Sequence, residues 1–412
     1  MDFAAFLFIV GLALILSKVF ASLFEKIKLP GVLGEIFLGV ILGTLYLYGQ
    51  NLDYVGDWIK NWIVVRSAEP YKGVEGFQFL SRLGIIMLLF IAGLDTNVEQ
   101  LKSTGKVATI STVMGVFVPL ALGFMAGLLM GYETHESFVL GVLLTATSIG
   151  VTVRTLMEIN MLSSDVGAAS LSASVMDDFL GIALIIFAVG TSSLAEFGIK
   201  LTIFFLVTLV AAWYYMPKIA EFTRKYISSQ KALLGIFLGI MLLFSALAEY
   251  SFNAAIEGAY FAGIVLSRVP ERRIFMEDVR AIGYGLLIPM FFVYTGAQLD
   301  VGDFLNPDAL MLAGVILLIA IVGKILGRGI GARIGGFPWR KAWQMGVGSI
   351  PRMEVALVSL TIAIHAGAIQ PQHINLFMTA TMVFVTVTTL LTPPLLKLSF
   401  KKEIEAMKAK YA

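Results

Sequence analysis

The sequence predicts an all-helical membrane protein. It should have thirteen transmembrane helices in an inverted-topology repeat of six plus six around a linker helix, with two broken helices crossing in the core. Three observations lead there. The 412 residues are 58% hydrophobic and only 14% charged, with a mean hydropathy of +0.87, whereas soluble domains run near half apolar and a quarter charged. The apolar residues fall in runs of about 20, the length that crosses a bilayer. Features of the first half recur, in order, in the second. This composition excludes a disordered or nucleic-acid-binding chain and argues against a cytosolic enzyme. The net charge of +2 gives no long-range steering. With no cysteine, and three histidines of which His365 and His373 flank one short loop, no disulfide, thiolate or His/Cys metal site is expected.

In chain order the spans are predicted at 3–24, 30–48, 79–95, 104–130, 136–157, 164–191, 195–216, 231–250, 254–267, 280–297, 307–334, 342–365 and 372–398. The first has no basic leader and no small-residue cleavage site before its end, so it reads as a retained helix, not a signal peptide. The stretch 49–78, with Trp58 and the run Trp62-Ile63-Val64-Val65, is the one long loop, predicted to hold an interfacial amphipathic helix. Thirteen spans put the termini on opposite faces. If the tail with Lys397, Lys401, Lys402, Lys408 and Lys410 is cytoplasmic, 22 of the 30 Lys and Arg residues lie on its side, Arg328 among them, and five on the other. That asymmetry follows the positive-inside rule and predicts a multi-pass cell-membrane protein with its N-terminus outside.

The repeat is read from short matches. Leu89-Phe90-Ile91-Ala92-Gly93-Leu94-Asp95 resembles Phe292-Val293-Tyr294-Thr295-Gly296-Ala297-Gln298 at an offset of 203, and at that offset span 104–130 overlays 307–334. Gly34-Glu35 and Gly39 overlay Gly258-Ala259 and Gly263 at an offset of 224, the long loop accounting for the difference. An odd linker span starts the second copy on the opposite face, the arrangement of many secondary transporters.

Charges inside the spans point to the site, because ionisable groups at mid-membrane are costly and usually functional. Asp177 and Asp178 sit in the middle of span six. Helical neighbours point about 100° apart, so the two carboxylates face different surroundings. Burial and a like charge next door favour the protonated form of a carboxyl, letting a proton and a hard cation compete for the same oxygens. Lys324, too deep to snorkel, needs an anionic partner, and these aspartates are the deep ones. Span five carries Thr145-Ala146-Thr147-Ser148-Ile149-Gly150, and span twelve carries Gly348-Ser349-Ile350-Pro351-Arg352-Met353-Glu354. Such residues open a helical ladder, and paired interruptions in two repeats mark a mid-membrane binding site. Arg352 and Glu354 are expected to pair with each other or with acids on the facing broken helix, as supporting charges. Glu35 reads as interfacial, and Glu257, near the start of its span, has no assigned role.

Taken together, Gly34-Glu35, Leu88–Asp95, Thr145–Gly150, Asp177-Asp178, Gly323-Lys324 and Pro351-Arg352-Met353-Glu354 resemble the monovalent cation:proton antiporter superfamily, in its two-aspartate, NapA-like sodium/proton branch. The resemblance covers the whole chain. It implies a homodimer in the lipid bilayer with a dimerisation scaffold (1–95 and 231–297), a moving core (104–191 and 307–398), a linker helix (195–216) and a cytoplasmic tail (399–412). It implies that Asp178 binds the transported monovalent cation and proton, that Asp177 partners Lys324 in a coupling salt bridge, and that Thr147 and Ser148 lie near the ion. Sodium or lithium is then exchanged for protons by alternating access, electrogenically, without a cofactor. Met353 stands where the family commonly has glycine, and Glu257 stands where an apolar residue is expected, so potassium/proton exchange is the alternative. A nucleotide-gated potassium-efflux subtype is not expected. The rivals are a cation channel or a cation-coupled solute symporter, and an intramembrane aspartyl protease. The protease needs aspartates on two helices, and here they are adjacent.

Overall fold

The computed structural model describes residues 3–48, 75–145, 147–189, 194–210, 230–252, 254–269, 272–298 and 307–411, with Tyr214, Lys218 and Glu221. The amphipathic helix expected in 49–78 therefore lies almost wholly outside the described residues. Those residues are helical: α1 (Phe3–Lys26), α2 (Gly31–Tyr48), α3 (Glu75–Asp95), α4 (Val98–Leu129), α5 (Thr134–Leu143), α6 (Ile149–Glu158), α7 (Asp165–Val189), α8 (Leu194–Val210) and α9 (Gln230–Phe252) form the first part. α10 (Ala255–Leu266), α11 (Arg272–Ile282), α12 (Ile288–Ala297), α13 (Pro307–Gly335), α14 (Trp339–Val347), α15 (Glu354–His365), α16 (Ile374–Ser399) and α17 (Lys401–Tyr411) follow. Eight of the described helices are long and apolar enough to cross a membrane. The expected span 280–297 starts earlier, because α11 runs through a five-residue π-turn, Gly283–Leu287, into α12. The tail, expected only as 399–412, holds the helix α17.

Two packing groups organise the chain. In one, α2 lies on α12 and α3 on α10, with α1 against α2 and α9 against α10. Gly39 meets Gly296, where a β-carbon added to Gly296 would stand 2.9 Å from the Gly39 Cα. Gly93 meets Gly263 in the same way, at 2.8 Å from a β-carbon on Gly263. Small residues let helix backbones approach this closely where lipid supplies no hydrophobic driving force.

In the other group α4 packs along α13, and α5, α7, α14 and α16 surround them. α4 opens on Asn97, whose side chain accepts from the Glu99 amide at 2.9 Å, an Asx cap on an otherwise orphan donor. The α4–α13 seam is a stripe with one glycine per turn: Gly323 against Pro119, Gly327 against Met114, Gly331 against Ser111 and Gly335 against Val107. This stripe decides the site. Lys324 and Arg328 each follow a seam glycine by one residue, about 100° further round the helix, where both reach Asp177 of α7, Arg328 lying over Gly115 of α4 on the way.

Candidate functional site

Each broken helix stops where its sequence stops supporting the ladder. α5 ends at Leu144, and α6 restarts after Ser148. α14 ends at Gly348, Pro351 offers no amide hydrogen, and α15 starts at Glu354. The two breaks are tied to each other: the Ser148 amide donates to Pro351 O at 2.8 Å, and the Thr152 hydroxyl donates to Gly348 O at 2.6 Å. Buried backbone carbonyls released by the breaks must find donors. Arg352, fully buried, supplies them. Its guanidinium donates to Leu144 O at 3.0 Å, to Ser349 O at 2.8 Å and to Ile350 O and Pro351 O at 3.1 Å each. Arg352 closes the C-terminal ends of both half-helices, where a cation also complements the helix dipole; the side chain of Glu354, its expected partner, lies outside the described residues. Glu354 begins α15 beside it. Met353 is buried, with φ −151° and ψ −114°.

Asp177 is the hub. Its Oδ2 accepts from Lys324 Nζ at 3.0 Å, from the Thr147 hydroxyl at 2.8 Å and from the Arg328 guanidinium. Lys324 also donates to Thr145 O at 2.6 Å, and Arg328 to the Ser174 hydroxyl at 3.1 Å. Asp177, Lys324 and Arg328 are each 0% exposed. The Thr112 hydroxyl fixes α7 to α4 through Ala173 O at 3.1 Å. Counting Arg328 with the cytoplasmic loop charges was wrong. It lies inside α13 and is the second cation on Asp177. Its spacing of four residues from Lys324, on one helix face, was the signal available in the sequence.

Asp178 faces the other way, as neighbouring helical residues must. It is buried, as is Glu257 of α10. Glu35, expected at the interface, is instead fully buried, 3.2 Å from Lys18 and 4.0 Å from Arg154. Two oxygen atoms at the crossing, Asp177 Oδ1 and the Ser148 hydroxyl, are buried with no hydrogen-bond partner among the described residues. Orphaned hard oxygens beside a second carboxylate suit a monovalent cation rather than a soft metal. A cleft of ≈ 420 Å³ opens between Arg154, Glu158 and Asn160 on one side and Asp95, Arg280 and Tyr284 on the other.

Two adjacent intramembrane aspartates, a lysine and arginine on one of them, and two crossed helix breaks are thus assembled in one place. The transmembrane region of the sodium/hydrogen exchanger family matches residues 11–398. The chain belongs to this family. Among its family relatives, it is 30% identical over 409 residues to the Na(+)/H(+)-K(+) antiporter GerN of Bacillus cereus, covering 98% of each chain. It is 31% identical to the high-affinity Na(+)/H(+) antiporter NhaS3 of a Synechocystis species, covering 93% of this chain and 87% of that one. The fold is similar to that of the sodium proton antiporter MjNhaP1 from Methanocaldococcus jannaschii, with a TM-score of 0.65 at 17% identity over 97% of both chains. The superfamily expected from the motifs is the one found, and the family member is a multi-pass membrane protein.

Proposed function

We propose that this protein exchanges sodium for protons by alternating access, with Asp178 as the shared site of cation and proton. One observation carries the reading. Asp177 is committed to Lys324, Arg328 and Thr147, so the exchangeable role falls to its buried neighbour Asp178. The names of the relatives support sodium and protons as the exchanged ions, and the potassium in one name keeps potassium/proton exchange as the alternative.

The reading extends to architecture. Thirteen spans follow if the short apolar helices and the half-helices are counted with the eight long ones. The inverted repeat is supported by the glycine contacts, since Gly39 on Gly296 and Gly93 on Gly263 are exchanged by the two offsets found in the sequence. Helices α1–α3 and α9–α12 then form a dimerising scaffold, and α4–α7 and α13–α16 a core that carries the ion past it. We place the protein in the cell membrane, N-terminus outside and tail cytoplasmic.

Charge movement follows from the two cations on Asp177. One carboxylate swapping a proton for a monovalent cation is electroneutral. A second proton must come from another group, and Lys324 can supply it. Arg328, which stays charged, keeps Asp177 compensated when Lys324 becomes neutral. Exchange is then electrogenic, with about two protons per cation.

The test is reconstitution into proteoliposomes with an imposed ΔpH, followed by addition of sodium, lithium or potassium. Sodium should dissipate the gradient in the wild type and do nothing in Asp178→Asn, purified as a folded protein. An Asp178→Asn protein that exchanges at near wild-type rate would show that Asp178 is not the site.

A further inference from the structure

We infer that Arg154 and Glu158 are positioning residues for the exchange: together they latch the end of α6 to the proposed scaffold and close the route to Asp178 from the tail's side in this conformation. The inference rests on the alternating-access reading given above.

The latch starts at a helix that does not cap itself. α2 begins at Gly31, after Leu29-Pro30. None of these residues has a side-chain oxygen to meet the first amides, which lack partners within the helix. The cap comes from 126 positions away: Glu158, the last residue of α6, accepts from the Val32 amide through Oε1 at 3.0 Å. A carboxylate at that place also answers the positive end of the α2 dipole.

Arg154 carries the contact inward. It lies one turn before Glu158, with Nε 3.0 Å from Glu158 Oε1 and Nη2 4.0 Å from Glu35 Oε1. Glu35 stands one turn into α2 and takes a second cation, Lys18 of α1, at 3.2 Å. The Arg154 guanidinium also lies over the Tyr284 ring, 4.6 Å from its centre, and the Tyr284 hydroxyl meets Met157 Sδ at 2.8 Å. Tyr284 belongs to the π-turn Gly283–Leu287, a distortion that recurs at functional sites. One arginine can join α6, α2 and the π-turn because its planar, permanently charged head pairs and stacks at once.

Burial decides which ties matter. Lys397 Nζ of α16 donates to Lys28 O at 2.6 Å and also joins core to scaffold, but that contact is exposed, and exposed charge contacts are worth little. The side chains of Arg154, Glu158 and Glu35 are 12%, 16% and 0% exposed. Opening a pair so placed leaves a charge to be compensated, so this cluster holds the two parts together.

Its position makes it a gate. Arg154 lies six residues beyond Ser148, about 9 Å along α6, and Glu158 ten residues beyond, about 15 Å. That end is the tail's end: Asp165, which opens α7, pairs with Lys341 at 2.5 Å, and the adjacent Arg340 pairs with Glu403 of α17 at 2.6 Å. The cleft of ≈ 420 Å³ reaches Arg154 and Glu158, and its lining includes no residue assigned to the ion site. Moving α6 away from α2 and Tyr284 breaks the latch and joins the cleft to the crossing.

The test uses the full-length protein in proteoliposomes of known sidedness, with Arg154→Gln, Glu158→Ala, Tyr284→Leu and Asp178→Asn in parallel. Tyr284→Leu weakens the latch from the scaffold without touching a buried charge, which covers a failure of the charge variants to fold. The chain has no cysteine of its own, so Ser148→Cys in the wild-type and latch-variant backgrounds reports whether an impermeant maleimide added on the tail's side reaches the crossing. Labelling should be slow with the native latch and about tenfold faster in the latch variants. The half-saturation for sodium should fall on the tail's side and rise on the opposite side, because a population shifted toward one opening is taken from the other. A merely structural loss weakens binding on both faces together. Labelling rates equal to wild type, or half-saturations that stay put or move in the same direction on both faces, in a preparation where Asp178→Asn is inactive, would overturn the inference. If Asp178→Asn itself transports, the parent reading has failed instead.

Discussion

Arg328→Gln tests the assignment of charge movement to Lys324. In the native protein Asp177 Oδ2 takes two cations and one hydroxyl. Removing one member of a buried ion pair costs about 3–5 kcal/mol when a bare charge is left behind. Here Lys324 stays at 3.0 Å and Thr147 at 2.8 Å, so Asp177 keeps a counter-ion. The loss then reduces to charge-assisted hydrogen bonds, about 1.5–3 kcal/mol, which a thermal-shift assay in detergent reads as a fall of several degrees. The functional consequence is larger. With Arg328 gone, Lys324 is the one remaining cation on a dry carboxylate and must keep its proton. Sodium-driven current on a solid-supported membrane, at zero imposed potential, should fall well below wild type. Sodium-dependent ΔpH dissipation should persist. Lys324→Gln, which removes the titrating group, should lose the current likewise. An Arg328→Gln protein with wild-type current per sodium transported would refute the idea that Arg328 frees Lys324 to titrate.

Three further outcomes are expected. The Val32 amide donates to Glu158 Oε1 at 3.0 Å, joining the proposed scaffold to the proposed core, and the chain has no cysteine of its own. Bridging Val32→Cys and Glu158→Cys with a short thiol cross-linker should therefore stop transport reversibly; full activity in the cross-linked state would sink the moving core. Gly296→Ala should destabilise by about 1–3 kcal/mol, against little change for Gly239→Ala, where an added methyl meets nothing within 4 Å; equal melting temperatures would contradict the close-packed seam. At Glu403 of α17, partial burial pushes the carboxyl up, but hydrogen bonds from Gln344 and Arg340 outweigh it and hold it below the usual range. A lowered folded-state value means docking stability present above about pH 4.3 and lost as pH falls through that lowered value. A spin label at Ala409→Cys should become mobile in acid, with Glu403→Gln removing the transition; a label equally mobile at pH 6 and pH 3 would argue against this docking contact.

The sequence alone determined the class, the break positions and most of the charged site. A bilayer accepts only long apolar helices, so length and composition are read directly, and a charge inside such a run stands out at once. Asp177, Lys324 and the interrupted stretches at Thr145–Gly150 and Gly348–Glu354 were visible for that reason, as was the opposed facing of Asp177 and Asp178. The tertiary structure decided who meets whom. The glycine stripe of α13 sets the rotation that turns Arg328 inward to Asp177, which counting charges at span ends misassigns. Arg352 answers to backbone carbonyls that become orphans only once two helices break beside each other. Glu35 is buried because α1 and α6 bring Lys18 and Arg154 to it. Periodicity reports which face of a helix is apolar; the partner on that face is chosen by backbone approach at small-residue seams, a property of the assembled bundle.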